Sequence, residues 1–367
     1  MRRSFLLISF AALLPLAAQQ QSPKPLLSPE VQERKVTFRV RAPNAQKVQL
    51  NLEGHGRRDM TKNEEGVWSV TTEELRPDIY GYTFNIDGVG FVDPSNGKIK
   101  TNALSVNSAV LVPGSTPESW EQTDVPHGAV HHHFYESKIA GDKRDFFVYT
   151  PPNYDAKKKY PLLVLLHGFS DYADGWTTVG KANLILDNLL AKGEIKPMIV
   201  VMPLGYGVSI DTLRTGIQRD QNIWKTNATK FGEALLTEVL PLAEKNYGIE
   251  KKREKRAITG LSMGGGEALL VGLNNLDQFA WVGAFSAGGG SNNPDEIYSK
   301  LSEKDNERLK LLWIACGAED FLIEPNRKFV TWLKQKNIDH TWLETEGAHT
   351  WLVWRRYLAD FTKQLKF

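Results

Sequence analysis

A single serine, Ser262, stands between Gly260 and Gly264 in the stretch AITGLSMGGGEALL, where an apolar run gives way to a helix-like one. That spacing suits a nucleophile. A serine on a tight strand-to-helix turn takes a strained backbone conformation, and a side chain two residues to either side would collide with neighbouring backbone, so glycines leave the room. The hydroxyl then stands at a helix N-terminus, where the dipole favours developing negative charge. A neutral hydroxyl is a weak nucleophile and needs a base held in place by an acid. Together the three groups can attack a carbonyl carbon and pass through a covalent acyl intermediate.

Two histidines follow Ser262. His340 lies inside the alternating run IDHTWLE and reads as a strand residue. His349 lies in EGAHTW, a loop between the last strand and the last helix, where the base is expected. The acid is expected on the loop after the preceding strand, where LLWIACGAEDFL ends in Gly317, Glu319 and Asp320. Asp320 is favoured, because it sits past the turn and its shorter side chain suits a tight loop; Glu319 is the alternative. Asp339 precedes a strand and would fall at the wrong end of a sheet. The oxyanion needs amide donors. One is expected from Met263, just after the nucleophile, and one from Phe169 in LLHGFSDYADGW, where Gly168 lets the backbone turn. His167 reads as a loop-shaping side chain. Ser286 in AFSAG is one residue away from the Ser262 pattern, but the AGGGSNNP segment after it cannot start a helix, so Ser286 reads as part of a loop beside the site.

These residues need a scaffold that brings distant loops together. From Val130 onward, apolar runs alternate with helical patterns. VHHHFYESK and KRDFFVYTPP read as a hairpin around IAGDK, and six more runs follow: YPLLVLLHG, PMIVVMPLG, KRAITG, FAWVGAFSAGG, LKLLWIACG and IDHTWLETEG. Helices are expected over 181–192, 228–246, 263–274, 325–336 and 350–365. Such alternation predicts an α/β fold with a mostly parallel eight-stranded sheet covered on both faces, two strands antiparallel and six parallel. Ser262 follows the fifth strand, where an α/β-hydrolase carries its nucleophile, and the chain order serine, acid, histidine is the order of that fold. Before residue 115 the texture is all β. KVTFRVRAP, KVQLNL, GVWSVTTEEL and IYGYTFNIDG alternate apolar and polar residues, which predicts a small immunoglobulin-like sandwich over 30–114, joined by a linker over 115–129 to the domain at 130–367.

The 367 residues are 41% hydrophobic and 24% charged, enough for two packed domains. With 45 basic and 43 acidic side chains, no basic patch of the kind that binds nucleic acid is expected. The one dense run, KKREKR at 251–256, reads as a solvated loop. Arg2 and Arg3, the apolar stretch Phe5 to Leu16 and the small Ala17 and Ala18 predict a signal peptide over 1–19, with the mature chain secreted or periplasmic; its loss takes the net charge from +2 to 0. No later stretch is apolar enough to cross a membrane. Cys316 is the lone cysteine and reads as a buried small hydrophobe. The HHH run at 131–133 lacks a carboxylate or cysteine at ligand spacing, and no phosphate-binding glycine motif is present, so neither metal nor cofactor is expected. Trp176, Tyr206, Trp224 and Trp351 fall on the catalytic side, and Trp176 and Trp351 are the expected substrate contacts. Trp68 and Tyr80 fall in alternating strands and read as core.

The stretches FFVYTPPNYD, YPLLVLLHGFSDYADGW, ITGLSMGGGEAL, CGAEDFL and EGAHTWLVWRRYL resemble the esterase D-like branch of the α/β-hydrolases, in particular carbohydrate esterase family 1, over about 130–367. The stretches FRVRAPNAQKVQLNLEG, GVWSVTTEEL, IYGYTFNIDG and VDPSN resemble a family 48 carbohydrate-binding-like (E-set) domain over 35–112. The resemblance implies a feruloyl esterase acting on arabinoxylan, with acetylxylan esterase as an alternative and a siderophore (enterochelin-type) esterase as a second. A non-catalytic polysaccharide-binding protein is the reading from a different class. Ser262, Asp320 and His349 match the family's triad. The implied partner is a feruloylated or acetylated xylan-type polysaccharide, with no nucleic acid and no membrane.

Overall fold

A computed structural model describes residues 25–216, 219–220, 222–287 and 293–367. The expected leader at 1–19 lies outside the described residues.

The N-terminal part of the chain, through Val112, is a sandwich. Strands Glu30–Gln32, Lys35–Arg41, Val67–Thr71 and Thr61–Lys62 form one sheet. Gly56–Asp59, Val48–Leu52, Asp78–Ile86, Val106–Val112 and Ile99–Thr101 form the other, with Val89–Phe91 paired to Asp78–Ile86. The alternation seen in the sequence is the alternation of burial: Val36, Phe38 and Val40 point inward from one strand and Tyr80, Tyr82 and Phe84 from another. Trp68 and Tyr80 are core residues, as their pattern predicts.

The remainder carries an eight-stranded sheet: β1 (Ala129–Ser137), β2 (Asp142–Thr150), β3 (Leu162–Leu166), β4 (Ile199–Pro203), β5 (Arg256–Gly260), β6 (Trp281–Phe285), β7 (Leu311–Gly317) and β8 (Thr341–Thr345). Their spatial order is β1-β2-β4-β3-β5-β6-β7-β8. β1 and β2 pair antiparallel, as does β2 with β4, and the remaining pairs are parallel. Every residue of β3, β4, β5 and β6 is buried, the condition of a parallel sheet covered on both faces. Five helices do the covering: α1 (Ala182–Ala191), α2 (Ile223–Ala234, continued through a π-helical stretch at Leu235–Val239 to Asn246), α3 (Met263–Asn274), α4 (Ile323–Gln335) and α5 (Trp351–Gln364). Leu162, Val164 and Leu166 of β3 pack with α2, α3 and α4, whereas Leu163 and Leu165 face α1 and α5.

Two expectations are corrected. α2 begins at Ile223 rather than 228, and a short helix at Ile210–Gly216 precedes it. The KKREKR run is not wholly solvated: Arg256 enters β5, is buried, and pairs with Glu244 at 2.7 Å.

The sandwich is docked firmly on the sheet domain. Asp78 and Arg355 of α5, both buried, pair at 2.9 Å, and Arg355 also donates to the backbone oxygens of Val179 and Ile79. The segment between the domains is strapped down as well. Asn188 donates to the oxygens of Ser119 and Glu121, Asp187 accepts from Gly128 N–H, and the Arg356 guanidinium stacks on Trp120.

Candidate active site

β5 ends at Gly260 and α3 begins at Met263, so Ser262 occupies the sharp turn between them with φ 52° and ψ −117°. For a residue with a Cβ this left-handed region is strained. The glycines explain how the turn closes. A Cβ on Gly260 would lie 2.6 Å from the Gly264 carbonyl, and one on Gly264 would lie 2.4 Å from His167 O. Ser262 N–H donates to Phe285 O, which ties the elbow to the neighbouring strand.

His349 arrives on the loop after β8, and its Nε2 lies 2.9 Å from Ser262 Oγ. Its Nδ1 lies 2.9 and 3.0 Å from the two oxygens of Asp320, on the loop after β7. An ionised carboxylate only accepts, so Nδ1 carries the proton and Nε2 is free to accept one from the serine. Burial opposes ionisation of Asp320, but hydrogen bonds from His349 and from Leu322 N–H outweigh it and hold the carboxyl below its ordinary range. Glu319 is exposed and its backbone N–H bonds Gly347 O. His340 sits just ahead of β8, its Nδ1 2.7 Å from Ile338 O. The three residues that the sequence brought forward as nucleophile, base and acid therefore meet within hydrogen-bond distance. Ser286 also has φ 52°, but it is wholly buried and accepts from Trp354 Nε1 at 3.1 Å, so its hydroxyl has no access to a substrate.

The two segments expected to supply the oxyanion donors both adjoin Ser262. Met263 opens α3, whose first N–H groups have no acceptor within the helix. Gly168 lies against the nucleophile: a Cβ there would sit 3.3 Å from Ser262 Cβ and 2.6 Å from Leu261 Cδ1. Only glycine lets the Phe169 loop approach so closely. His167 holds that loop. Its Nδ1 donates to Gly168 O and its Nε2 accepts from Gly205 N–H, each at 2.8 Å, so the ring is neutral; burial lowers its pKa to about 4. Near the elbow lies a buried acid not foreseen from the sequence. Glu267, one turn along α3, accepts from Asn227 Nδ2 at 3.1 Å, and burial pushes its carboxyl well above its ordinary value. Its only signal in the sequence is a charged residue inside the apolar run GGGEALLVGL.

The expected substrate contacts need correction. Trp176 is fully buried and donates its Nε1–H to Leu166 O, and Trp351 packs edge-on against it at 5.1 Å. Both are core side chains beneath the site. Tyr206 is buried too, its hydroxyl donating to Asp171 O. Accessible aromatic groups among the described residues include Trp224, 40% exposed and edge-on to half-buried Phe169 at 5.3 Å, Phe321, 73% exposed with its ring 4.5 Å from that of His349, and Tyr172, 45% exposed on the loop past Phe169. Phe169 and Met263 pack on a small apolar cluster of Tyr206, Leu213 and Ile223, so one side of the nucleophile has an apolar wall. Cys316 is buried with its thiol pushed up to about 12 by burial, in keeping with an inert hydrophobe.

Residues 137–365 match the family model described as "Putative esterase". The chain belongs to this esterase family. Residues 26–103 match carbohydrate-binding module 48, the isoamylase N-terminal domain. An endo-1,4-beta-xylanase/feruloyl esterase of Xylanibacter ruminicola is 34% identical over 338 residues, which cover 89% of this chain and 44% of that protein; the chain thus spans less than half of this curated relative. A CE1 ferulic acid esterase of Anaeromyces mucronatus, solved with ferulic acid, aligns at 26% identity and a TM-score of 0.59 over 68% of this chain and 95% of its own. The enterobactin esterase of Shigella flexneri matches 90% of this chain and 92% of its own with a TM-score of 0.69; at 19% identity this is a likeness of fold. The architecture is an α/β-hydrolase esterase domain preceded by a β-sandwich.

Proposed function

We propose that the protein is a secreted serine esterase that hydrolyses feruloyl (hydroxycinnamoyl) esters on arabinoxylan, with the leader at 1–19 removed on export and the domain boundary in the 115–129 segment. The observation that carries the reaction class is the unbroken line of hydrogen bonds from Ser262 Oγ through His349 to Asp320. Ser262 attacks the ester carbonyl while His349 Nε2 takes its proton. Asp320 stabilises the imidazolium so formed, and the N–H groups of Met263 and Phe169 hold the oxyanion. His349 returns the proton to the departing sugar alcohol, then activates the water that releases the acid. The apolar wall of Phe169 and Trp224 beside the nucleophile, and the kinship with a xylanase/feruloyl esterase, support an aromatic acyl group over acetyl.

Initial rates on methyl ferulate, 4-nitrophenyl acetate and acetylated xylan test the acyl assignment, because the chemistry is identical and pocket size decides. The expected order has methyl ferulate first by kcat/KM; activity confined to the acetates would make the enzyme an acetylxylan esterase instead. Ser262→Ala should lose on the order of 10⁴ to 10⁶ in kcat without unfolding. Full activity in that variant would refute Ser262 as the nucleophile, and the absence of a covalent adduct at Ser262 with a serine-reactive phosphonate would favour a non-catalytic polysaccharide-binding role.

A further inference from the structure

The helix that follows His349 has no cap of its own. α5 begins at Trp351; its N-cap Thr350 makes no side-chain cap hydrogen bond, and its first turn holds no acidic residue. The opening N–H groups of a helix carry partial positive charge and need acceptors. One acceptor comes from the other domain: Trp351 N–H donates to Glu53 Oε1 at 3.3 Å, across 298 positions of chain. Glu53 is itself held in place. Lys100 Nζ donates to the same oxygen at 2.8 Å, and Gly81 N–H donates to Oε2 at 2.8 Å. Burial works against its ionisation, but Lys100 and the surrounding donors prevail and hold its carboxyl below the usual range, so the cap is anionic.

We propose that Glu53 is a positioning residue for the reaction at Ser262: an anionic cap, delivered by the N-terminal sandwich, that fixes the start of α5 and with it the imidazole of His349 two residues earlier. This rests on the triad reading given above. The same sandwich grips the other side of the reaction centre. Asn102 Nδ2 donates to Asp171 Oδ1 at 2.8 Å, and Ala103 N–H donates to Ser170 O at 2.7 Å, on the loop just past Phe169. Ser170 has φ 73°, a conformation that persists in a non-glycine residue only when its surroundings hold it. The sandwich thus braces both the base loop and the oxyanion loop, and it contributes to turnover without touching substrate.

The test uses the full chain with Glu53→Gln and Glu53→Ala, assayed on 4-nitrophenyl acetate, so it does not depend on the natural acyl group. Functional sites are counted by exhaustive titration with a serine-reactive phosphonate. The expected result is a fall in kcat per titrated site of about 10-fold for Glu53→Gln and up to about 100-fold for Glu53→Ala, with KM changed less than about twofold, because a small displacement of a catalytic group costs rate far more than affinity. The phosphonylation rate should fall in parallel. Glu53→Gln keeps the size of the side chain but replaces one accepting oxygen with a donor. A merely structural residue would lower the unfolding temperature and the number of titratable sites while leaving kcat per site at the wild-type value; that outcome overturns the proposal. If Glu53→Ala does not fold, Glu53→Gln decides by the same criterion. A wild-type enzyme that takes up no phosphonate would overturn the triad reading itself, a failure visible before either variant is made.

Discussion

Asp320→Asn changes one atom at the centre of the site. In the native arrangement Asp320 Oδ1 accepts from Leu322 N–H at 2.8 Å and lies 3.0 Å from His349 Nδ1, while Oδ2 lies closer to Nδ1, at 2.9 Å. Asparagine must keep its carbonyl oxygen toward Leu322, or two donors would face each other. Its NH₂ group then points at Nδ1. A donor in that place turns Nδ1 into an acceptor and moves the imidazole proton to Nε2, where it faces Ser262 Oγ at 2.9 Å. The base can no longer accept the serine proton, and a developing imidazolium would lose its carboxylate. Glu319 is exposed and does not reach the ring, so no second acid compensates. The loss should be on the order of 10³ to 10⁴ in kcat, about 4 to 5.5 kcal/mol of barrier. Steady-state kinetics on 4-nitrophenyl acetate at pH 8, with KM and the circular dichroism spectrum as controls, measures it. A loss of less than tenfold in a folded variant would refute the assignment of Asp320 as the group that sets the tautomer of His349.

Burial raises the pKa of Asp171 to about 6, with Asn102 pulling the other way. The group binds its proton more tightly folded than unfolded, so its ionisation costs nothing below pH 3.8 and up to about 3 kcal/mol above pH 6. Asp171→Asn should therefore raise the urea midpoint at pH 8, with the gain shrinking toward pH 4; a gain independent of pH would show that charge is not its origin. Gly264→Ala would press a Cβ to 2.4 Å from His167 O, a backbone atom that cannot yield, and should cost about 3 kcal/mol in urea unfolding or prevent folding. An unchanged midpoint would mean the elbow is looser than described. Arg355→Ala leaves Asp78 buried with Arg356 as its remaining partner and should destabilise by about 3 kcal/mol, read from the same unfolding curves. A loss below 1 kcal/mol would mean that the domain interface does not depend on that pair.

The parts legible in the sequence share one property: their signals are local. Buried strands such as Leu162–Leu166 read as apolar runs because both faces of a parallel sheet are covered. The elbow was readable because Gly260 answers a clash within the turn itself, against the Gly264 carbonyl, whereas the clash that Gly264 avoids is with His167 O on another loop and shows only in the fold. Trp176 and Trp351 misled, because periodicity places a ring near the catalytic edge without saying whether it points up into the cleft or down into the core, and both point down. Arg256 read as a loop cation because its partner Glu244 lies on the far end of α2, and only packing brings the two together.

The amino-acid order alone pointed to the fold class, the strand that ends before Ser262 and the order Ser262, Asp320, His349, since hydrophobic period and backbone sterics act over a turn or two of chain. Tertiary structure decided the rest. The 2.9 Å spacing between Ser262 Oγ and His349 Nε2, the burial of Trp176 and Trp351 that leaves Trp224, Phe321 and Tyr172 exposed, and the reach of Glu53 to the first turn of α5 all depend on residues from separate elements. Such contacts depend on how whole layers pack against one another, and no short window of sequence records that.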